Sequence, residues 1–399
     1  MNTNANSSHV SDLVTYKCTC FALSEGGQVL LFYRYWANSP ALPVELSHKC
    51  TNPQALADFH SELATRLALG GKFRLANEGF NITLGGTTSS ISQYIEECRD
   101  HWSFSGINLS TAKAQTDYFK PTPGCACAFS GKASIKVTAE ITPLGITNYS
   151  PSSWQNVISL SPEAFHNLCS EGNISLIDVR NHYESRVGYF VTGKGDVAAK
   201  PAVRRFSQWP GYVTRHVLGN AIYDQKPIAT YCTGGIRCEK GARWMQETLQ
   251  GQGQREDAPV YTLHGGIVAY QAWIKEEIET GRKTPGDGLF KGKNYVFDDR
   301  GVIGSDTEET EKVAVCHGCE KPEDRLGQCK NSGCHLVLVV CTECAENGGV
   351  ACCGDCSEIE MHQDGSGGRR MCKCESEREK SLWGSEGAKL PKKTKQRTR

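Results

Sequence analysis

The sequence lacks net charge, a long apolar run and an internal repeat. Its 399 residues include 44 basic and 44 acidic side chains, so no whole-molecule field favours nucleic acid or membrane, and RNA binding would need a local patch. The sequence contains no run of about 18 apolar residues, which a membrane span would need. It also contains no repeat at the periods that are typical of solenoid proteins. Met1–Asp12 is polar, without the basic start and apolar core of a secretory signal. We therefore expect a cytoplasmic protein with no membrane partner.

Cysteine is the residue type present in excess. There are 20 cysteines, and eleven of them follow residue 315, mostly in closely spaced pairs. In a reducing compartment such pairs are typical of metal binding or catalysis and not of disulfides. The cysteines therefore indicate metal sites first.

The hydrophobic pattern predicts two folded units of mixed type. Residues 13–147 alternate strands and helices in the order βαββαβ, which is typical of a ferredoxin-like, acylphosphatase-like domain. Residues 148–290 contain short apolar strands that alternate with helices, as in parallel α/β sheets. We predict the N-terminal elements as strand Val29–Tyr35, helix Pro53–Leu69, strands Lys72–Ala76 and Phe80–Leu84, and helix Ile91–Trp102.

Three further segments complete the predicted organisation. Residues 1–12 form a polar extension, 291–362 a cysteine-rich zinc-binding module and 363–399 a basic, disordered tail. The end of that tail, Lys389–Arg399, holds six basic side chains and no acid. It is interpreted as a solvated tail, an arm that touches RNA, or a nuclear-import patch.

A candidate reactive cysteine lies where the strand Pro227–Tyr231 ends. A turn with two glycines lets backbone N–H groups converge on its sulfur, and the following helix adds positive charge at its N-terminus, so its pKa should fall. The short loop suits a sulfur or one oxygen atom and argues against phosphatase chemistry. The predicted loop consists of the nucleophile Cys232, then Thr233, Gly234, Gly235 and Ile236, and the closing cation Arg237.

Cys238 follows Arg237 on the first helical turn. A neighbouring thiol can resolve a sulfenate or persulfide, so Cys238 is either a resolving residue for Cys232 or a packed helix cysteine. Both interpretations stay open at the level of sequence.

Three sequence blocks resemble the rhodanese domain. They are Leu176–Glu184, Cys232–Lys240 and Leu263–Ile267, in the same order along the chain. The resemblance implies that Asp178 and Arg180 end a strand beside the active loop, with Glu184 as a partner for Arg180. In this interpretation the three charged residues orient the site and do not react.

The run Cys-Thr-Gly-Gly-Ile-Arg-Cys-Glu-Lys, together with Ala76–Asn81 upstream, resembles the rhodanese-domain tRNA uridine hydroxylase family over residues 28–360. This resemblance implies oxygen-dependent 5-hydroxylation of the wobble uridine in the tRNA anticodon loop, dependent on Cys232. Phe80 departs from the family's usual isoleucine. No organic cofactor site is legible. The alternatives are a sulfurtransferase that uses a small sulfur donor and a thiol acceptor, and a non-enzymatic zinc-bearing interaction protein.

Four cysteine pairs in the third segment have metal-ligand spacing, enough for two structural, tetrahedral zinc ions. Adjacent or alternate pairs could share a metal, and Cys352, His317 or His335 could replace a ligand. We expect Cys372 and Cys374 to lie outside the pattern. The four pairs are Cys316 with Cys319, Cys329 with Cys334, Cys341 with Cys344, and Cys353 with Cys356.

Two smaller groups remain as candidate sites. Arg204, Arg205 and Trp209 combine cations with an aromatic ring before the active loop, a composition that can bind phosphates and stack a base; an ordinary surface loop is the alternative. Two Cys-x-Cys pairs, at 18–20 and 125–127, are interpreted either as unliganded thiols or as one metal site.

Overall fold

The computed structural model describes residues 18–146, 148–224, 226–253, 259–304, 312–331, 334, 336–358 and 372–383. The predicted polar extension, the basic run Lys389–Arg399 and the alternative ligand His335 lie outside the described residues. Within the described part of the chain, no helix is long and apolar enough to cross a bilayer.

The N-terminal unit is a five-stranded sheet in the order β4-β1-β3-β2-β5. β1 pairs antiparallel with β3 and β4, and β5 runs parallel to β2. This topology matches the predicted βαββαβ unit and adds β5 at one edge. Its elements are α1 Ala22–Glu25, β1 Gly27–Tyr35, α2 Pro53–Arg66, β2 Gly70–Ala76, β3 Gly79–Thr87, α3 Thr88–Asp100, α4 Ala112–Phe119, β4 Thr122–Pro123 and β5 Ala133–Val137.

Local sequence explains where the two long helices of this unit begin. The Asn52 side chain accepts a hydrogen bond from the Ala55 N–H, and Thr87 does the same for Ser90. One face of the sheet carries the core beneath these helices, and Phe80, the departure from the family pattern, is fully buried there at 5.9 Å from the ring of Phe32. Phe80 is therefore a packing residue.

The second unit is a parallel four-stranded sheet in the order β6-β10-β9-β7. Parallel strands carry helices on their faces, and the strand ends meet at one edge. Its elements are β6 Ile158–Leu160, α5 Pro162–Glu171, β7 Ser175–Asp178, β8 Gly188–Phe190, α6 Trp209–Tyr212, α7 Ala221–Asp224, β9 Ile228–Tyr231, α8 Ile236–Gly251, β10 Val260–Leu263, α9 Gly266–Glu279 and β11 Phe290–Gly292, which pairs with β8.

The cysteine-rich module is built from short elements around its thiols. A two-stranded sheet, β14 with β15, supplies a few buried apolar residues such as Leu326 and Leu338. The elements are β12 Asn294–Tyr295, β13 Val302–Ile303, β14 Leu326–Gln328, β15 Val337–Val339, α10 Thr342–Glu346, α11 Gly354–Glu358 and α12 Lys373–Trp383.

Helix α12 corrects the predicted tail. Residues 373–383 are helical, and two carboxylates of the helix bind the second unit. Glu375 forms an ion pair with Arg204, and Glu379 accepts a 2.8 Å hydrogen bond from Gln208. Because Glu375 and Glu379 are buried, this helix is part of the packed structure.

Candidate functional site

The candidate site is the loop between β9 and α8, at the carboxyl ends of the parallel strands. Cys232 follows β9 directly, and Gly235 takes a φ of 98°, which favours glycine. The Gly235 N–H donates to the Cys232 Sγ at 3.1 Å. The predicted convergence of a backbone donor on this sulfur is therefore present.

The start of α9 supports the loop from behind. The N–H groups of Ile267 and Val268 donate to the carbonyls of Cys232 and Thr233 at 2.9 and 3.1 Å. A Cβ at Gly266 would lie 2.5 Å from the Cys232 carbonyl oxygen, and this residue has a φ of 67°. Only glycine allows so close an approach.

The surroundings of Cys232 favour its thiolate. Burial alone would raise the pKa of Cys232, but a hydrogen bond from the Cys238 thiol, the charge of Arg237 and backbone N–H groups together lower it to about 6. Burial and the same contact with Cys232 raise the pKa of Cys238 well above its usual value. Cys238 therefore stays a thiol that donates to the Cys232 thiolate, and the two predicted sulfurs do meet.

Arg237 is held by Glu184 in a buried bidentate ion pair. Nη1 and Nη2 of Arg237 each lie 2.7 Å from one oxygen of the Glu184 carboxylate. Arg237 also donates to Thr233 Oγ1 at 3.2 Å. The expected pairing of Glu184 with Arg180 is wrong, because the turn after β7 carries Glu184 beneath the active loop.

Arg180 instead pairs with its near neighbour Asp178. Its Nε and Nη2 lie 2.9 and 2.6 Å from the two oxygens of that carboxylate, and Nη2 also donates to the Gly188 carbonyl at 2.6 Å. All of these groups are buried. Asp178 and Arg180 therefore stabilise the end of β7 next to β9, and their role in orienting the site stays a prediction.

The N-terminal unit covers the thiolate loop. The β1 side chains Leu31 and Tyr33 lie so close that a Cβ at Gly234 would be 2.8 Å from Leu31 Cδ2, and one at Gly235 would be 2.8 Å from Tyr33 Oη. Cys232 is fully buried beneath them. The candidate site therefore lies between the two units, which the sequence did not predict.

Charged side chains fasten the two units together beside the loop. Lys240 on α8 lies 2.9 Å from Glu78 and 2.6 Å from Glu140. Glu239 accepts hydrogen bonds from Asn38 at 3.1 Å and from Tyr33 at 3.4 Å. The Asn-Glu-Gly-Phe-Asn run thus uses its glutamate to bind the active-site helix.

Lys120 is a further cation at this junction. Its Nζ lies 6.0 Å from the centre of the Tyr33 ring, and burial lowers the pKa of Lys120 to about 8. A Cβ at Gly265 would lie 3.4 Å from Lys120 Cδ, so the lysine also borders the start of α9. Neither Tyr33 nor Lys120 was a candidate from sequence. The available signal was that β1 carries large apolar residues on both faces, which implies that both faces are covered.

The structure corrects two of the three predicted RNA contacts. Trp209 is fully buried and donates from Nε1 to the Gly241 carbonyl at 2.9 Å, so its ring packs in the core. Arg204 binds Glu375 and donates to the Cys334 carbonyl at 3.2 Å. Arg205 alone of the three is exposed.

In the cysteine-rich module, alternate pairs come together. In each set the ligand sulfurs all lie within 4.8 Å of one another, a spacing that suits one metal ion. Of the alternatives open from sequence, this arrangement is the cross-brace. The first set is Cys316, Cys319, Cys341 and Cys344, and the second is Cys329, Cys334, Cys352 and Cys356.

Cys352 also belongs to a third set that sequence reasoning missed. Cys372 and Cys374, expected outside the pattern, lie 3.6 and 3.4 Å from the sulfur of Cys352. Cys353 joins them and does not join Cys356 in the second set. The adjacent cysteines 352 and 353 were the available signal, since they add a ligand beyond the four pairs. The third set is Cys352, Cys353, Cys372 and Cys374.

Comparisons with known proteins agree with this organisation. Residues 27–141 match the family model described as UPF0176 acylphosphatase like domain, and residues 291–357 match that described as Rhodanase C-terminal. A Chlamydia abortus protein named tRNA uridine(34) hydroxylase is 27% identical over 337 residues, which cover 82% of this chain and 92% of the relative.

Two further relatives carry the same name. The Bacillus mycoides protein is 29% identical over 329 residues, or 82% of this chain and 88% of its own length. The Staphylococcus carnosus protein is 29% identical over 340 residues, or 84% of this chain and 91% of its own length. Each of the three alignments covers more than four fifths of this chain.

Proposed function

We propose that this chain, a homologue of the tRNA uridine(34) hydroxylases, carries out the oxygen-dependent hydroxylation of carbon 5 of the wobble uridine of tRNA and uses the Cys232 thiolate as its nucleophile. The observation that carries the proposal is the buried sulfur of Cys232, whose pKa is lowered to about 6 in a six-residue loop. A thiolate is the reactive form of cysteine. The relatives supply the substrate class, which is tRNA, and we propose that the protein acts in the cytoplasm.

The covering residues define how a uridine would reach Cys232. A base in a loop leaves its stack at a cost of a few kcal/mol, and Leu31 and Tyr33 must shift to admit it, because Cys232 is fully buried. Tyr33 offers a ring for stacking, and Lys120, 6.0 Å from that ring, offers a cation for a phosphate. We assign these two residues to holding the nucleotide.

Zinc is the metal that the thiol sets of the module fit. Four thiolates make a closed tetrahedral site with no open position, which suits structural zinc. Because the second and third sets share Cys352, we propose that this thiolate bridges two ions, so that the module holds three instead of the two expected from sequence. The metal would fix the module and α12 against the second unit and takes no part in the reaction.

The test of the activity is nucleoside mass spectrometry of total tRNA from cells that lack this protein. Complementation with the wild type should restore 5-hydroxyuridine, and Cys232→Ser should not. Cys50→Ser, which changes a thiol outside the site, should restore it like the wild type. Normal 5-hydroxyuridine in cells without the protein would contradict hydroxylation and favour sulfur transfer through a Cys232 persulfide.

A further inference from the structure

Two Cys-x-Cys pairs outside the cysteine-rich module meet in the N-terminal unit. Cys18 and Cys20 precede α1, whereas Cys125 and Cys127 lie between β4 and β5, more than 100 residues later in the chain. Their four sulfurs lie within 4.8 Å of one another. A convergence of four thiols from two distant segments needs a cause.

The sulfur separations fit a shared metal ion and not disulfides. The Cys18 sulfur is 3.5 Å from that of Cys20 and 3.4 Å from that of Cys125. A disulfide requires about 2.05 Å. Four sulfurs at about 2.3 Å from a tetrahedral zinc would lie about 3.8 Å apart, which is close to the observed separations.

A polar side chain also contacts one of these sulfurs. The Thr19 hydroxyl lies 3.8 Å from the Cys127 sulfur. A hydroxyl in this position can donate a hydrogen bond to a thiolate, which is the form of cysteine that binds metal.

The loop that carries Cys125 and Cys127 touches the segment beside the active loop. Arg300 donates to Thr122 Oγ1 at 2.8 Å and to the Pro123 carbonyl at 2.9 Å, and the Asp299 N–H donates to the Ala128 carbonyl at 2.9 Å. Two residues before Asp299, the ring of Phe297 lies 5.5 Å from the Arg237 guanidinium. A metal ion that holds this loop would therefore also stabilise the segment that contacts Arg237.

We propose that Cys18, Cys20, Cys125 and Cys127 bind one structural zinc ion that fastens the segment before β1 to the loop between β4 and β5. Four thiolates in a closed tetrahedron leave no position for a substrate. This site is separate from the module and does not depend on the proposed hydroxylase activity.

The test is the zinc content per chain of the purified full-length protein, measured by plasma mass spectrometry. The wild type should contain one zinc more than Cys20→Ser or the double variant Cys18→Ser with Cys20→Ser. Cys50→Ser, which changes a partly buried thiol outside every set, should match the wild type. Cys18 and Cys20 lie in the segment before β1 and outside the strands of the sheet, so folding of the sheet does not depend on them.

A second measurement follows Cys125 and Cys127, the two ligands that the variants leave unchanged. Peptide-resolved alkylation of the native protein should leave Cys125 and Cys127 protected in the wild type, and should label Cys127 at least tenfold faster in Cys20→Ser. Equal zinc content in all variants would overturn the site, as would iron in place of zinc or a Cys18–Cys20 disulfide in the freshly purified protein.

Discussion

Cys232 and Cys352 are both buried thiols, yet their neighbours differ completely. Cys232 faces a backbone N–H, the Cys238 thiol and the cation Arg237. Cys352 instead lies within 3.8 Å of the sulfurs of Cys334, Cys353, Cys356, Cys372 and Cys374. One thiolate among donors is stable and reactive, whereas several thiolates together repel one another unless a metal cation holds them. The neighbours of each sulfur therefore determine whether the cysteine has a catalytic or a structural role.

Removal of the metal tests the structural role of the module cysteines and should have the largest effect. Structural zinc contributes on the order of 10 kcal/mol of folding free energy in small domains, and the module has few buried apolar residues. A strong chelator should therefore unfold the cysteine-rich module and release α12. Hydrogen exchange should report loss of protection there while α8 stays protected, whereas an unchanged module after zinc loss would contradict the metal assignment.

Replacement of the nucleophile tests the catalytic role of Cys232. Cys232→Ser should lower hydroxylation by a thousandfold or more, on the order expected when a nucleophile is removed, and should leave zinc content and thermal stability unchanged. The matched variant Cys316→Ser should lower zinc content instead. Turnover by Cys232→Ser would refute the nucleophile assignment.

Glu184→Gln tests whether Arg237 needs its partner. A buried charge left unpaired costs about 3–5 kcal/mol, so the denaturant midpoint should fall clearly and activity with it. Glu97→Gln is the control, because Glu97 is 45% exposed in its ion pair with Arg66, and exposed pairs contribute about 0–1 kcal/mol. Equal effects of the two variants would show that burial of the pair does not matter.

The variant Cys238→Ala tests whether the neighbouring thiol stabilises the Cys232 thiolate, and it should have the smallest effect. Removing a donor to a charged sulfur should raise the pKa of Cys232 by about one unit, and one unit corresponds to about 1.4 kcal/mol. The thiolate forms as pH rises through the pKa, so the acid limb of the activity profile should move to higher pH. Cys238→Ser keeps a donor and should move the limb less.

The pKa itself can be read from the ultraviolet absorbance of the thiolate, as the difference between each variant and Cys232→Ser. The wild type should show a midpoint near the pKa of about 6. An identical midpoint in Cys238→Ala would show that the Cys238 contact does not stabilise the thiolate.

The sequence predicted what depends on local order along the chain. Cys232, Gly235 and Arg237 lie within one strand-turn-helix unit, so their spacing alone determines the loop. The βαββαβ order of the N-terminal unit follows from hydrophobic periodicity in the same way. The pairing of β5 with β2 could not be predicted in this way, because it joins residues about 60 positions apart.

Long-range packing decided what the sequence could not predict. Tyr33 and Gly235 meet only because one unit docks on the other, and no local pattern encodes that contact. Ligand spacing likewise predicts Cys353 and Cys356 as a pair and leaves Cys352 as a replacement ligand, and it does not say which sulfurs share a metal ion. Trp209 lies in a segment that combines cations with an aromatic ring, which is typical of an RNA contact. Its ring is nevertheless buried in the core, because burial depends on tertiary packing.

Peptide-resolved alkylation of the native, zinc-loaded protein across pH tests the two roles of cysteine in one measurement. Cys232 should react with a midpoint near its pKa of about 6, while the cysteines of the three module sets stay protected at every pH until a chelator is added. Reaction of Cys232 only near the ordinary cysteine value of about 8.5, or labelling of the module cysteines before chelation, would contradict the account.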